Sequence, residues 1–186
     1  MITEAKFKLV LKDMMKTRPL EEINVTTLCK KCGVHRQTFY YHYTDIYDLI
    51  AAIFLNEDLS EADKQKTTEN VLGVFVAYVK DNFSFLRSTY NSAARDLTDD
   101  FLFAKMNTTL FALWSNDKKL GLKKAQARSL ARRFSHLIAD EFGYCFKNLK
   151  LTPDGFVKEI GAFISSSVEV VLPAMIELSK KEGERA

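Results

Sequence analysis

The sequence predicts an all-α chain in two parts, a three-helix head followed by a larger helical body. Three observations carry that prediction. The 186 residues include only 7 glycines and 3 prolines, so few positions break a helix. Hydrophobic residues make up 47% of the chain, enough for a sizeable core at this length. They also recur three and four apart, the repeat of amphipathic helices and not the alternation of strands.

The first element is set by Phe7, Val10, Leu11 and Met14, which share one helical face behind Thr3 as a cap, with Pro19 past the last turn. This spacing predicts a helix over residues 3–17. The next two elements lie between Asn24 and Ile50. There Thr26 is the expected cap of a short helix whose apolar face is Leu28, Cys29 and Cys32, and Gly33 supplies the backbone freedom that ends it. Val34 plugs the junction, and a helix from about His35 to Tyr43 buries Phe39 and Tyr43 while turning Arg36, Gln37, Tyr40 and Tyr41 outward. Two short helices joined by a glycine turn read as a helix-turn-helix. A fourth helix, Asp45 to about Leu59, is expected to run on into the body and anchor a head too small to be robust alone.

The body is expected as helices over residues 67–82, 83–92, 98–116, 123–147 and 153–181, with Pro153 as first residue of its helix behind the Thr152 cap. The last two have broad apolar faces: Leu130, Phe134, Leu137, Ile138 and Phe142 on one, and Phe156, Ile160, Phe163, Ile164, Val168, Val171 and Met175 on the other. Pro173 should interrupt the final helix and kink it. The expected domain limits are 1–48 for the head and 49–186 for the body.

The outward set of the second short helix suits double-stranded DNA. Arg36 matches the O6 and N7 of guanine, Gln37 the N6 and N7 of adenine, and the Thr38 methyl a thymine methyl. Tyr40, Tyr41 and His42 carry donors at the far end of the helix, where contacts typically go to phosphate oxygens and set register. Lys30 and Lys31 add backbone contacts from the preceding helix, and Thr26 at its start is a further candidate DNA contact. The charge distribution agrees. Residues 1–44 carry eight basic side chains (Lys6, Lys8, Lys12, Lys16, Arg18, Lys30, Lys31, Arg36) against four acidic ones (Glu4, Asp13, Glu21, Glu22), while the whole chain has a net charge of only +3.

On these residues, Val25 to Leu49 resembles the signature of the TetR family of bacterial transcriptional regulators. The matching positions are Thr26, Leu28 with Cys29, Cys32 with Gly33, then Thr38, Phe39, Tyr40, His42 and Tyr43. The resemblance implies a DNA-binding head on a body that forms a homodimer through its last two helices and binds a small effector. Most such proteins are repressors of a palindromic operator. One departure stands out: Ile46 occupies the place where family members usually carry a phosphate-touching lysine, and Asp45 and Asp48 flank it. Some relatives with the same Arg36 to Tyr40 run, such as the regulators of dihydroxyacetone kinase operons, are activators controlled by a protein partner. The body is therefore either an effector domain or a protein-interaction module.

For a small apolar or aromatic effector, the candidate pocket residues are Phe75, Tyr78, Phe103, Phe111 and Trp114, with His136, Asp140 and Tyr144 as polar groups. Such aromatics equally serve as plain core. The basic run Lys118, Lys119, Lys123, Lys124, Arg128, Arg132 and Arg133 reads as a solvated face. Cys29 and Cys32 form a C-x-x-C, but a zinc site would need His35 and His42 too, and reaching all four would unravel the helix pair. No metal or cofactor is expected. Cys145 is unpaired in sequence, in keeping with a reducing compartment.

Enzyme classes find little support. His136 with Asp140 and Glu141 is the only compact titratable set at helical spacing, and there is no glycine-rich phosphate loop, nucleophile elbow or H-E-x-x-H. No run of about eighteen uninterrupted apolar residues and no signal-peptide core is present, so a cytoplasmic protein that spans no membrane is expected.

Overall fold

The computed structural model describes the backbone of residues 2–184 and the side chains of residues 4–182. The Thr3 cap lies outside the described side chains. The chain is all-α, with no strand among the described residues. In order the helices are α1 (Ile2–Met14), α2 (Val25–Cys32), α3 (Arg36–His42), α4 (Ile46–Leu55), α5 (Ser60–Asp63), α6 (Thr68–Asp81), α7 (Phe83–Tyr90), α8 (Arg95–Asn116), α9 (Lys124–Lys147), α10 (Pro153–Ser166) and α11 (Leu172–Glu184). A π-helical turn, Ser167–Val171, joins the last two.

Contacts divide the chain into two compact units. The first holds residues 1–57 together with 82–99. Its core is built from Phe7, Leu11, Met14 and Met15 of the first helix and its turn, Leu28, Cys29 and Cys32 of α2, Phe39 and Tyr43 around α3, and Leu49, Ile50 and Ile53 of α4. Aromatic pairs organise it: Phe7 meets Phe39 edge-on at 5.3 Å and 85°, and Phe54 of α4 meets Phe85 of α7 at 5.4 Å and 47°. Lys12 ties three segments of this unit. Its ammonium pairs with Glu57, donates to Asn82 Oδ1 at 2.9 Å and lies 5.1 Å from the centre of the Phe85 ring. Lys8 donates to the Ala52 carbonyl at 3.1 Å. Two of the eight cations in residues 1–44 thus serve the unit's own packing. Sequence spacing could not place 82–99 in this unit, because Lys12 reaches Asn82 and Phe85 from about seventy residues away.

The helix expected to reach Leu59 stops at Leu55, where Asn56 closes it by donating from its side chain to the Ala52 carbonyl at 2.7 Å. An unexpected single turn, α5, follows. Asp45 and Asp48, read from sequence as charges flanking Ile46, are caps. Asp45 Oδ1 accepts from the Asp48 amide and Asp48 Oδ2 from the Thr44 amide, both at 2.9 Å. The first satisfies an amide that the first turn of the helix leaves without a partner, and the second ties that turn to the residue before the cap. Ile46 is buried in this first turn, so the position holds core in place of a cation.

The second unit holds residues 58–81 and 100–186. Phe75 and Leu72 of α6, Met106 and Leu110 of α8, Phe134, Ile138 and Phe142 of α9, and Phe156 and Ile160 of α10 all belong to its core. Phe142 and Phe156 meet edge-on at 5.4 Å, and α6 lies along α10, with Lys80 paired to Asp154 at 2.9 Å. Thr152 caps α10 by accepting from the Gly155 amide at 3.1 Å, with Pro153 in the first turn.

Pro173 was expected to kink the final helix. The structure instead carries the π turn just ahead of it, in which the Leu172 amide bonds back five residues to the Ser167 carbonyl. A proline has no amide for the carbonyl four residues earlier and its ring crowds that carbonyl; a wider turn absorbs the misfit and the helix continues to residue 184. The combined run Pro153–Glu182 has a mean hydropathy of 1.5 over its most apolar 18-residue window, long and apolar enough to cross a bilayer, and only 22% of that window is buried. A search for uninterrupted apolar runs misses it, because Ser165, Ser166, Ser167 and Glu169 break the sequence. The apolar face of α9 is consumed inside its own unit, whereas Val170, Val171 and Leu178 around the π turn and α11 remain exposed.

Candidate nucleic-acid interface

Helices α2 and α3 form the pair that the sequence indicates. The cap of α2 is Asn24, not Thr26: Asn24 Oδ1 accepts from the Thr27 amide at 2.9 Å and Thr27 Oγ1 accepts from the Asn24 amide at 3.3 Å. The Asn-x-x-Thr spacing that closes this reciprocal pair is readable in the sequence. Thr26 is the second residue of the helix and exposed. Gly33 has φ 67°, the left-handed region, and its amide bonds back to Lys30. Lys30 and Lys31 occupy the last turn of α2 and are exposed.

His35 precedes α3, and Phe39 and Tyr43 point into the core. Arg36, Gln37, Tyr40 and Tyr41 are exposed and Thr38 is half-buried. The expected donor row is therefore brought together on one short helix, with one exception. His42 is half-buried and its Nδ1 lies 3.0 Å from Glu4 Oε1 of α1, so one of its two nitrogens holds the first unit together. Nothing in the local sequence signals that pairing. Arg36 is also engaged: an Nη2 hydrogen goes to the Tyr40 hydroxyl at 3.1 Å, a bond that pushes the guanidinium pKa above its ordinary value. Burial, with the negative charges of Glu4 and Asp48 nearby, pushes the Tyr43 hydroxyl up as well.

Cys29 and Cys32 are buried free thiols whose pKa values are raised, first by burial. A raised pKa keeps a thiol protonated and poor as a nucleophile or ligand. Among the described residues no group of three or more His, Cys, Asp or Glu side chains could hold a metal ion.

The eight candidate effector residues are scattered over the second unit. Phe75 and Trp114 are core, the latter donating from Nε1 to Thr68 at 2.9 Å. Tyr78 packs on Phe101 at 5.6 Å. Phe103 stacks on His136 at 4.0 Å, Phe111 lies beneath Arg128, and Asp140 and Tyr144 are exposed on α9. A cleft of about 340 Å³ in this unit is lined instead by residues that include Asp63, Lys66, Val71, Thr109, Asn116 and Asp117, and by none of the eight. Asp63 accepts from the Thr109 hydroxyl at 2.7 Å at its wall. Of the five candidate aromatics, Phe75 and Trp114 are buried and Tyr78, Phe103 and Phe111 are half-buried.

No protein-family model matches the chain, and no curated protein matches its sequence. Among solved structures it is similar to the dihydroxyacetone kinase operon activator DhaS, with a TM-score of 0.66 and 16% sequence identity over 91% of this chain and 97% of that one. At that identity the likeness establishes architecture alone: the chain shares the all-α fold of that structure.

Proposed function

We propose that this chain is a cytoplasmic, sequence-specific DNA-binding transcriptional regulator that works as a homodimer on a palindromic operator. The observation that carries the reading is the outward face of α3, where Arg36, Gln37, Tyr40 and Tyr41 are exposed together on a helix fixed from behind by Phe39 and Tyr43. Their donors match base edges and phosphates, and Lys30 and Lys31 add cations beside them. The exposed apolar residues Val170, Val171 and Leu178 support a second copy as the occupant of that face. The structural neighbour is itself named as an operon activator.

In the leading reading the protein represses by occupying its operator, and a small effector bound by the second unit shifts the population away from the DNA-competent state. A second reading, an activator controlled by a protein partner, is favoured by a specific observation: the aromatic residues that would line an apolar cavity are packed as core or stacked at the surface. The test is a footprint of the full chain on the DNA upstream of its own gene, at stated salt, with Arg36→Ala beside it. Protection of a near-palindrome that the variant loses supports the reading. Absence of protection at low salt, where phosphate contacts are strongest, overturns it. Transcription from the protected template with and without the protein then gives the sign.

A further inference from the structure

We propose that Tyr40 is a positioning residue for Arg36 and thereby sets the sequence preference of α3. The inference rests on the DNA-reading function proposed above and assigns Tyr40 a role beyond holding a phosphate. Arg36 and Tyr40 are four apart and share a helix face. The guanidinium donates to the Tyr40 hydroxyl oxygen at 3.1 Å, and its central carbon lies 5.7 Å from the ring centre. An exposed arginine otherwise samples many rotamers, and base readout needs one planar orientation.

The ring that holds it is fixed in turn. Tyr40 packs edge-on against Phe39 at 5.6 Å and 87°, and Phe39, fully buried, packs edge-on against Phe7 at 5.3 Å. The guanidinium is therefore tied to the core of the first unit through Tyr40, Phe39 and Phe7. Arginine has five N–H donors, so one given to Tyr40 leaves enough for the two parallel bonds to guanine. The tyrosine oxygen accepts from Arg36 and keeps its own proton to donate to a phosphate, so one side chain serves both contacts.

Tyr41 is the internal comparison. It is 85% exposed, against 50% for Tyr40, and its ring meets only the edge of His42 among the described ring contacts, at 5.0 Å. The same chemistry one residue on has no hold on Arg36.

The experiment uses the full chain as wild type, Tyr40→Phe, Tyr41→Phe, Arg36→Ala and the Arg36→Ala/Tyr40→Phe double variant. Each is titrated onto the footprinted duplex and onto duplexes with one base pair changed at a time. Thermal unfolding of each variant checks that the fold is kept. Arg36→Ala identifies the base pair that Arg36 reads. Tyr40→Phe is expected to lower discrimination at that same pair roughly fivefold, the size of one hydrogen bond, and to leave other positions within about twofold. In the Arg36→Ala background it should change no ranking. Tyr41→Phe should weaken all duplexes alike. Equal weakening of every duplex by Tyr40→Phe, the same effect with and without Arg36, or no effect at all overturns the positioning role. A wild type that ranks no duplex above another overturns the DNA-reading function, and the positioning role falls with it.

Discussion

Helix α3 and the C-terminal run from the π turn through α11 both leave one side without a partner, and they present opposite chemistry there. On α3 the outward atoms are a guanidinium, a carboxamide and two phenols, while its Phe39 is buried. On the C-terminal run Val170 is 68% and Leu178 52% exposed, in a stretch where apolar residues dominate. Hydrogen-bond donors in water lose little by waiting for a polyanion; exposed branched aliphatics gain only by being covered. Exposure alone does not mark a function. What the exposed atoms can bond to separates the proposed nucleic-acid surface from the proposed protein surface within one all-helical chain.

The sharpest way to break that contrast is to put charge on the apolar side. Val170→Asp with Leu178→Asp is expected to give a monomer in sedimentation velocity and to lower operator affinity at least about 100-fold, because two half-sites then bind independently. A variant that remains dimeric removes this face from the interface. Arg36→Ala acts on the polar side. It should cost about 1–3 kcal/mol of discrimination at one base pair, whereas Lys31→Ala should weaken all sequences alike and reduce the salt slope by about one. Equal behaviour of the two, measured by titration at several salt concentrations, would merge the roles assigned to them.

A smaller effect is expected at the turn between the two short helices. Gly33 has φ 67° and a Cβ there would meet no atom within 4 Å, so Gly33→Ala tests backbone strain without a clash. About 1–2 kcal/mol should be lost from the urea unfolding free energy. The least effect near neutral pH comes from Cys145. Burial first, then the charges of Glu159 and Glu141, pushes its thiol up to about 11 from an ordinary 9.0. The folded state holds that proton more tightly than the unfolded one, so the contribution is complete below pH 9 and is lost as pH rises toward 11. Urea midpoints from pH 8 to 11 should fall less steeply in Cys145→Ala than in wild type.

The pieces readable in the sequence are those whose causes lie within a few residues. Gly33 ends α2, Phe39 and Tyr43 set the buried face of α3, and Thr152 with Pro153 starts α10, each through local backbone chemistry. The all-α class follows from the same logic summed along the chain. Failures trace to causes with two local solutions or distant ones. Thr26 and Asn24 are both capping residues, and the Thr27 hydroxyl decides between them. A proline permits a kink or a π turn, and only packing selects. The pairings of His42 with Glu4 and of Lys12 with Glu57 and Asn82 join residues far apart in sequence. Aromatic spacing is the same for a cavity wall and a filled core, so spacing alone does not separate the two.

Selection of binding sites from random-sequence duplex DNA by the full chain, at one low salt concentration, tests most directly whether the polar face reads DNA while the apolar face pairs two copies. The account predicts enrichment of an inverted repeat with half-site centres about one helical turn or more apart, and its loss with Arg36→Ala. Enrichment of no sequence, or of a single half-site without its inverted mate, would contradict it.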